Sequence, residues 1–302
     1  MGFASVGALA NAAASGKCWV TGYRKLTTAV TIAGQWYDFS YAAGNPVANY
    51  YASEPLKAAT IDAGRGIYHG PSVAPAQKYI HRVQLVNAAA GATTTSSQNM
   101  EVTWLDYLLY YPFVDGDAAG ETQELINTVT LPRYANGKGV RMMMVALGQT
   151  TGAGQFTVTY TNQDDTPGRV TPVHFGAAAQ PAGALVASAG AAGGTAPFLA
   201  FQSGDTGVRS VQSVTFSVAN GGLVAIALVV PLLTFASFEE SRRTTSGTLE
   251  SFGSPAETEA MRTRAGTGPQ VLDGAVLGFI GRTAAGSVAS AQMVGLLETV
   301  WS

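Results

Sequence analysis

Gln155-Phe156-Thr157-Val158-Thr159-Tyr160-Thr161 and Val214-Thr215-Phe216-Ser217-Val218 alternate large apolar residues with hydroxyl-bearing or amide ones. Successive side chains on a strand point to opposite faces, so this period of two predicts strands with one face in a core and one outward. Turn chemistry brackets such segments: NGKG at 136–139, GQTTGAG at 148–154, NQDDTPG at 162–168 and SGDTG at 203–207. Gly supplies positive φ in such turns, and Asn or Asp can bond its own backbone. Further strand candidates are rich in β-branched and aromatic residues. They cover residues 18–26, 29–42, 79–86, 104–111, 128–131, 140–147, 170–175, 198–202, 210–218, 223–230, 275–282 and 293–301. Many short strands divided by turns predict an all-β, jelly-roll-like β-sandwich. Gly22 and Gly34 read as bulges or turns, and the proline-rich stretch 44–75 as long ordered loops. Residues 3–14, rich in Ala, read as a short N-terminal helix or an arm.

Composition narrows the function. Of 302 residues, 47% are hydrophobic and only 12% charged, with a net charge of −2. An average soluble domain has about a quarter charged residues. The surface is therefore built from Gly, Ser, Thr, Asn and Gln, with little charge to repel a neighbour. The single cysteine, Cys18, excludes an intramolecular disulfide and a cysteine-based zinc site. His69, His81 and His174 lack metal-ligand spacing, and the basic residues form no block, so no nucleic-acid partner is expected. The most apolar run, residues 223–236, is shorter than the about 20 residues a spanning helix needs, and Pro231 interrupts it. A buried strand ending near Pro231 is expected, in a soluble chain without a membrane segment. The opening 17 residues lack the basic region of a signal peptide and read as part of the mature chain.

Catalytic signatures are missing from the sequence: no phosphate-loop lysine motif, no dinucleotide glycine fingerprint, no nucleophile elbow, no His-Glu-x-x-His. Asp115-Gly116-Asp117-Ala118-Ala119-Gly120 opens like a calcium loop, but Ile126 stands where the bidentate Glu is needed, which excludes an EF-hand. It reads as an acidic β-turn, as does Asp164-Asp165. The expectation is a non-enzymatic protein with no catalytic, cofactor or metal residues. Tyr and Trp residues between 19 and 51 could form a sugar platform, although cores and interfaces use the same residues.

Candidate interface residues follow from the low charge. Residues 2–16, small and apolar, could lie as an arm on a neighbour, with Phe3, Val6 and Leu9 as its contacts. Trp19, Tyr23 and Trp301 are candidate aromatic anchors, since buried aromatics carry much interface energy; core packing is the competing reading for all three. Residues 177–197 read either as a linker or as a small-residue strand against another backbone, with Leu185 and Val186 in its middle. Charge clusters at 239–243 and 257–264 suggest an exposed connection. Three regions result: 1–98, an N-terminal arm and β-rich loop region; 99–236, the sandwich core; and 237–302, an exposed connection with closing strands.

Tyr107-Leu108-Leu109-Tyr110-Tyr111-Pro112-Phe113-Val114-Asp115, Asn127-Thr128-Val129-Thr130-Leu131-Pro132-Arg133-Tyr134 and Gly139-Val140-Arg141 resemble, in this order, a family of tailed-bacteriophage virion structural proteins. Phe156–Asn162, Gly168-Arg169, Gly207-Val208-Arg209-Ser210, Asp273-Gly274-Ala275 and Phe279-Ile280 continue the similarity, and Ser15-Gly16-Lys17, Trp19 and Trp36-Tyr37-Asp38 precede it. Residues 237–268 depart from it. The resemblance implies a virion location and no assigned chemistry. The leading expectation is a capsid cement or decoration protein. It would sit on the capsid exterior, contact the major capsid protein and copies of itself, and be soluble in the host cytoplasm before assembly. Alternatives are a tail, baseplate or head-fibre component that binds host glycans and, ranked lowest, the major shell protein, whose long spine helix finds no matching helical period here.

Overall fold

Two strands carry apolar side chains on both faces, and the architecture follows from burying both. Met100–Asp115 and Leu223–Ser237 pair antiparallel along their length. A computed structural model describes residues 3–27, 30–88, 100–188, 196–237, 241–243, 249–251, 256–259, 268–283 and 292–302. It shows an all-β sandwich of curled antiparallel sheets, 48% strand and 6% helix, with a single short helix.

The long pair is the middle of a six-stranded central sheet, ordered Trp36–Asp38, Leu277–Thr283, Met100–Asp115, Leu223–Ser237, Arg141–Ala146, with Ala59–Thr60 also on Met100–Asp115. Its two outer strands are spliced together by residues 183–185. Asp38 N–H donates to the Gly183 carbonyl (2.8 Å) and Leu185 N–H to Trp36 (2.9 Å). On the other side, Gly183 and Ala146 N–H groups donate to Ala146 and Ala184 carbonyls (2.7 and 2.9 Å). The sheet thereby closes on itself through residues 183–185, which pair with both outer strands. Inside lie Trp36, Leu105, Tyr107, Tyr110, Met143, Val145, Leu185, Ala225, Ala227, Val229 and Ile280. Alanine at 225 and 227 makes room for the aromatics from Met100–Asp115.

The outward face of this closed sheet is covered by two further sheets. The side sheet, Arg169–Val170, Gln155–Asn162, Val208–Val218, Thr122–Glu124, with His174–Phe175 also on Gln155–Asn162, packs Phe156, Val158, Tyr160, Val211, Val214 and Phe216 against Leu109, Tyr111, Ile226 and Leu228. The terminal sheet, Ala256–Glu259, Lys78–Ala88, Gln292–Trp301, Cys18–Leu26, Ala43–Asn45, with Gln270–Val271 on Lys78–Ala88, packs Tyr23, Ile80, Val83, Leu85, Met293 and Leu297 against Met100, Val102, Trp104 and Phe279. Leu232 touches both cores. Register slips at Val224/Ile226, Leu228/Val229 and Pro231/Leu233 bend the long pair so that one face can serve both sheets.

The central sheet mixes strands from residues 1–98, 99–236 and 237–302, the terminal sheet is built from the first and last of these regions, and the side sheet from 99–236 alone. Several expectations need correction. The strand Leu223–Ser237 runs through Pro231: Arg141–Ala146 covers only Val224–Val229, so the missing N–H of Pro231 falls where that side has become an edge. Residues 128–131 and 198–202 form no strand; Leu131 and Leu199 plug the side-sheet core from irregular loops, and Leu199 N–H donates to the Met142 carbonyl at 2.9 Å. Gly22 lies in regular register, without a bulge, whereas Gly34 is a turn residue at φ 75°. Residues 177–188 are no linker: Leu185 and Val186 are buried, and residues 183–185 form the splice; 189–195 lie outside the described residues, as does most of 239–264. The repeated Gly-Val-Arg segments at 139–141 and 207–209 meet in space, Lys138 bridging Gly207.

Gly183 has φ +90°, and a Cβ there would sit 2.5 Å from Tyr37 Cζ. Gly183→Ala is expected to lower stability by about 3 kcal/mol through strain and overpacking at the splice. Chemical denaturation should show this as a lower midpoint with an unchanged slope.

Candidate functional site

The buried ionisable groups come first, because isolated charge in a core is costly and often marks chemistry. Asp38, fully buried, leaves the closed sheet at its Trp36–Asp38 edge and turns into the loop that follows. Its Oδ1 accepts from Tyr107 Oη (2.6 Å) and Ser40 N–H (2.9 Å), and its Oδ2 accepts from Ser40 Oγ (3.0 Å) and from Tyr51 Oη. Burial pushes the carboxyl above the ordinary carboxylate range, against the hydrogen bonds that favour its charge. Lys25, also buried, donates to the Ala42 and Pro46 carbonyls at 3.3 and 2.8 Å. These groups fasten the loop between Asp38 and Tyr51 to two sheets.

Two further centres follow the same plan. Buried Lys78 donates to His69 Nδ1 (3.1 Å) and to the Gly70 and Pro71 carbonyls (3.2 and 2.5 Å). His69 Nε2 then donates to the Ala275 carbonyl at 3.0 Å, which assigns the neutral tautomer. Burial, then the Lys78 charge, lowers the His69 pKa, in keeping with that neutral ring. Asp106 accepts a bidentate pair from Arg133 (2.9 and 2.7 Å) and a bond from Val276 N–H (3.0 Å). Arg133 also donates to the Gly274 carbonyl at 2.6 Å. In all three centres the charged atoms hold the chain's own backbone, which is the work of a fastener. Asp115, singled out for its acidic turn, accepts from Asp117 N–H at 2.9 Å and caps that turn. Among the described residues no group of three or more His, Cys, Asp or Glu is placed to hold a metal.

The surface offers a different kind of site. The helix Val6–Ala14, capped by Ser5 Oγ accepting from Ala8 N–H at 3.1 Å, lies on the outer face of the terminal sheet. There Phe3, Leu9 and Ala12 cover Tyr79 and Val300. Beside Gly22 on the same outer face, Val20 (51% exposed), Val294 (41%) and Leu296 (37%) reach the surface. Glu298, paired with His81 (3.1 Å) and Arg82 (3.2 Å), stands directly opposite Val20, and Arg24 opposite Val294.

This placement sorts the sequence candidates. Phe3 and Leu9 are spent under the helix. Tyr23 is buried between Trp104 and Phe279, its hydroxyl donating to the Gln84 carbonyl at 2.7 Å. Their apolar surface finds partners inside the chain, which leaves none for a neighbour. Residues 3–14 are a docked helix, not a free arm. Val6 (62% exposed) and Trp19 (41%) do reach solvent, Trp19 against Tyr68 in an edge-to-face pair with centroids 5.5 Å apart. Trp301 is partly buried, its N–H donating to the Lys17 carbonyl at 3.1 Å. Of the aromatics between 19 and 51, Tyr23, Trp36, Tyr37 and Tyr51 are interior, whereas Tyr41 and the exposed Tyr50 form an edge-to-face pair with centroids 5.3 Å apart. Sequence reasoning missed Val20, Leu296 and Val294; their apolar character at outward positions is a signal only once register assigns the faces.

No protein-family model matches the chain, and no curated protein matches it. Among solved structures, the infectious bursal disease virus VP2 subviral particle superposes over 94% of this chain and 81% of that one, at 8% identity and a TM-score of 0.18. A superposition that loose carries no argument about fold or function.

Burial lowers the Lys25 pKa to about 8 from its ordinary 10.5. Between those values the unfolded chain binds more protons at this group than the folded one, so its contribution to stability rises with pH across that window. Lys78, also lowered by burial, adds in the same direction. Lys25→Met is expected to flatten the rise in the unfolding midpoint between about pH 8 and 10. Denaturation of both proteins at matched pH measures the difference.

Proposed function

We propose that this chain is a virion structural protein of the tailed-bacteriophage type, a capsid cement or decoration subunit on the head exterior. It works by binding, with the major capsid protein and other copies of itself as partners. The observation that carries this reading is the group of exposed apolar side chains on the terminal sheet, Val20, Val294 and Leu296, on a surface poor in charge. Exposed apolar side chains grouped on one face favour contact with another protein. The buried centres support a binding role, because Asp38, Lys25, Lys78 and Asp106 all bond the chain's own groups. The resemblance of residues 107–115, 127–134 and 139–141, in order, to virion structural proteins is what supports a virion location.

Purified particles should contain this chain in copies comparable to the shell subunit, as counted by quantitative mass spectrometry. Heads assembled without it should break at lower temperature, and added protein should restore them. A few copies confined to the tail would remove the cement role.

A further inference from the structure

The strand Cys18–Leu26 is paired along its length with Gln292–Trp301, but on its other side Ala43–Asn45 reaches only Arg24, Lys25 and Leu26. Among the described residues, Cys18 to Tyr23 therefore forms an open sheet edge. The bond from Trp301 N–H to the Lys17 carbonyl sets the alternation. Lys17, Trp19, Thr21 and Tyr23 turn their backbone polar groups toward Gln292–Trp301; Cys18, Val20 and Gly22 turn theirs to the open side. Proteins ordinarily blunt such edges with charge, proline or a bulge. This edge has no charged residue between Lys17 and Arg24, no proline, and a register without slips.

We infer that this edge is an interface between two copies of the chain, paired antiparallel about a two-fold axis at Val20. The edge is complementary to itself. The axis sets Val20 opposite Val20, Cys18 opposite Gly22 and Trp19 opposite Thr21, and the residues with free backbone groups, 18, 20 and 22, then meet one another. Each such pair exchanges two N–H···O bonds. A Cβ at Gly22 would meet only Leu296 Cδ2, at 3.8 Å, so there is room over Gly22 for the thiol of the facing Cys18. Cys18, Val20 and Gly22 share the outer face, where the two valines would meet with Glu298 of each copy on their far sides, and each Leu296 would lie beside a Gly22–Cys18 pair. Lys17 and Arg24, which flank the edge, lie on opposite faces, so the two-fold stacks no like charges. Such isologous contacts are the commonest in homo-oligomers. Asn45 at one end and the helix at the other limit the pairing to a few residues, so the dimer is concentration-dependent. The inference deepens the proposed role by naming the partner of one edge of the binding surface.

The test uses the purified full chain. Sedimentation velocity should show a monomer–dimer equilibrium that Val20→Lys abolishes, by placing charge opposite charge, while the thermal midpoint of the dilute protein is unchanged. In a Cys18→Ser background, Val20→Cys should form a disulfide dimer on mild oxidation much faster than Val47→Cys, which is exposed elsewhere. Directly opposite residues of such a pair have Cα atoms about 5.5 Å apart, within disulfide reach. A wild-type chain that stays monomeric at every concentration, a dimer indifferent to Val20→Lys, or equal cross-linking at both positions would overturn the inference. If the chain is monomeric but Val20→Lys weakens its binding to heads, the edge takes a strand of another protein; the second copy is then excluded and the virion role stands.

Discussion

Everything in this fold hangs on the pairing of Met100–Asp115 with Leu223–Ser237. Both strands are apolar on both faces, so neither can rest with one side in water. One solution to that constraint is a sheet that closes around its inner face while other sheets cover its outer one. Closure at residues 183–185 and the two covering sheets are thus two halves of one response to buried area. The three bulges reconcile them, because a straight pair could not serve the closed interior and two differently placed covers.

The polar centres extend the same logic to the loops. A long connection such as 39–58 contributes a strand to a sheet only at Ala43–Asn45, and buried unpaired carbonyls elsewhere along it are costly. Lys25 and Lys78 each collect carbonyl groups around one ammonium, and Asp38 collects two phenols and a serine. Charge in the interior is tolerated here because nearly every hydrogen-bonding position is occupied. The chain can then keep a surface poor in charge, having placed several of its few ionisable residues inside.

The all-β class was legible in the sequence because alternation is a local signal: Gln155–Asn162 and Val208–Val218 announce their faces without reference to any neighbour. Residues 128–131 and 198–202 carry the same β-branched and aromatic content but sit in loops, since Leu131 and Leu199 are buried through side-chain anchoring and need no ladder. Pro231 misled for the opposite reason. Whether proline ends a strand depends on whether its N–H side is covered, and that is set by the length of Arg141–Ala146, far away in the chain. Of the aromatic anchors only Tyr23 is fully buried, and burial inside the chain and burial between chains leave the same trace in sequence. Only register separates Tyr23, inward, from Val20, outward.

The pairing of Cys18–Leu26 with Gln292–Trp301 also sets a timetable. These strands are almost the whole described chain apart, and contacts of such separation form slowly because a long loop must close before they give any return. During synthesis the strand Cys18–Leu26 emerges before its partner, which cannot leave the ribosome until residue 301 has been added. Until then Tyr23 has no finished core to enter, and the strand is unpaired on both sides. The outer face of the terminal sheet exists only after translation has passed that point, so a chain stalled or truncated before it carries the first strand of that face but not the face itself.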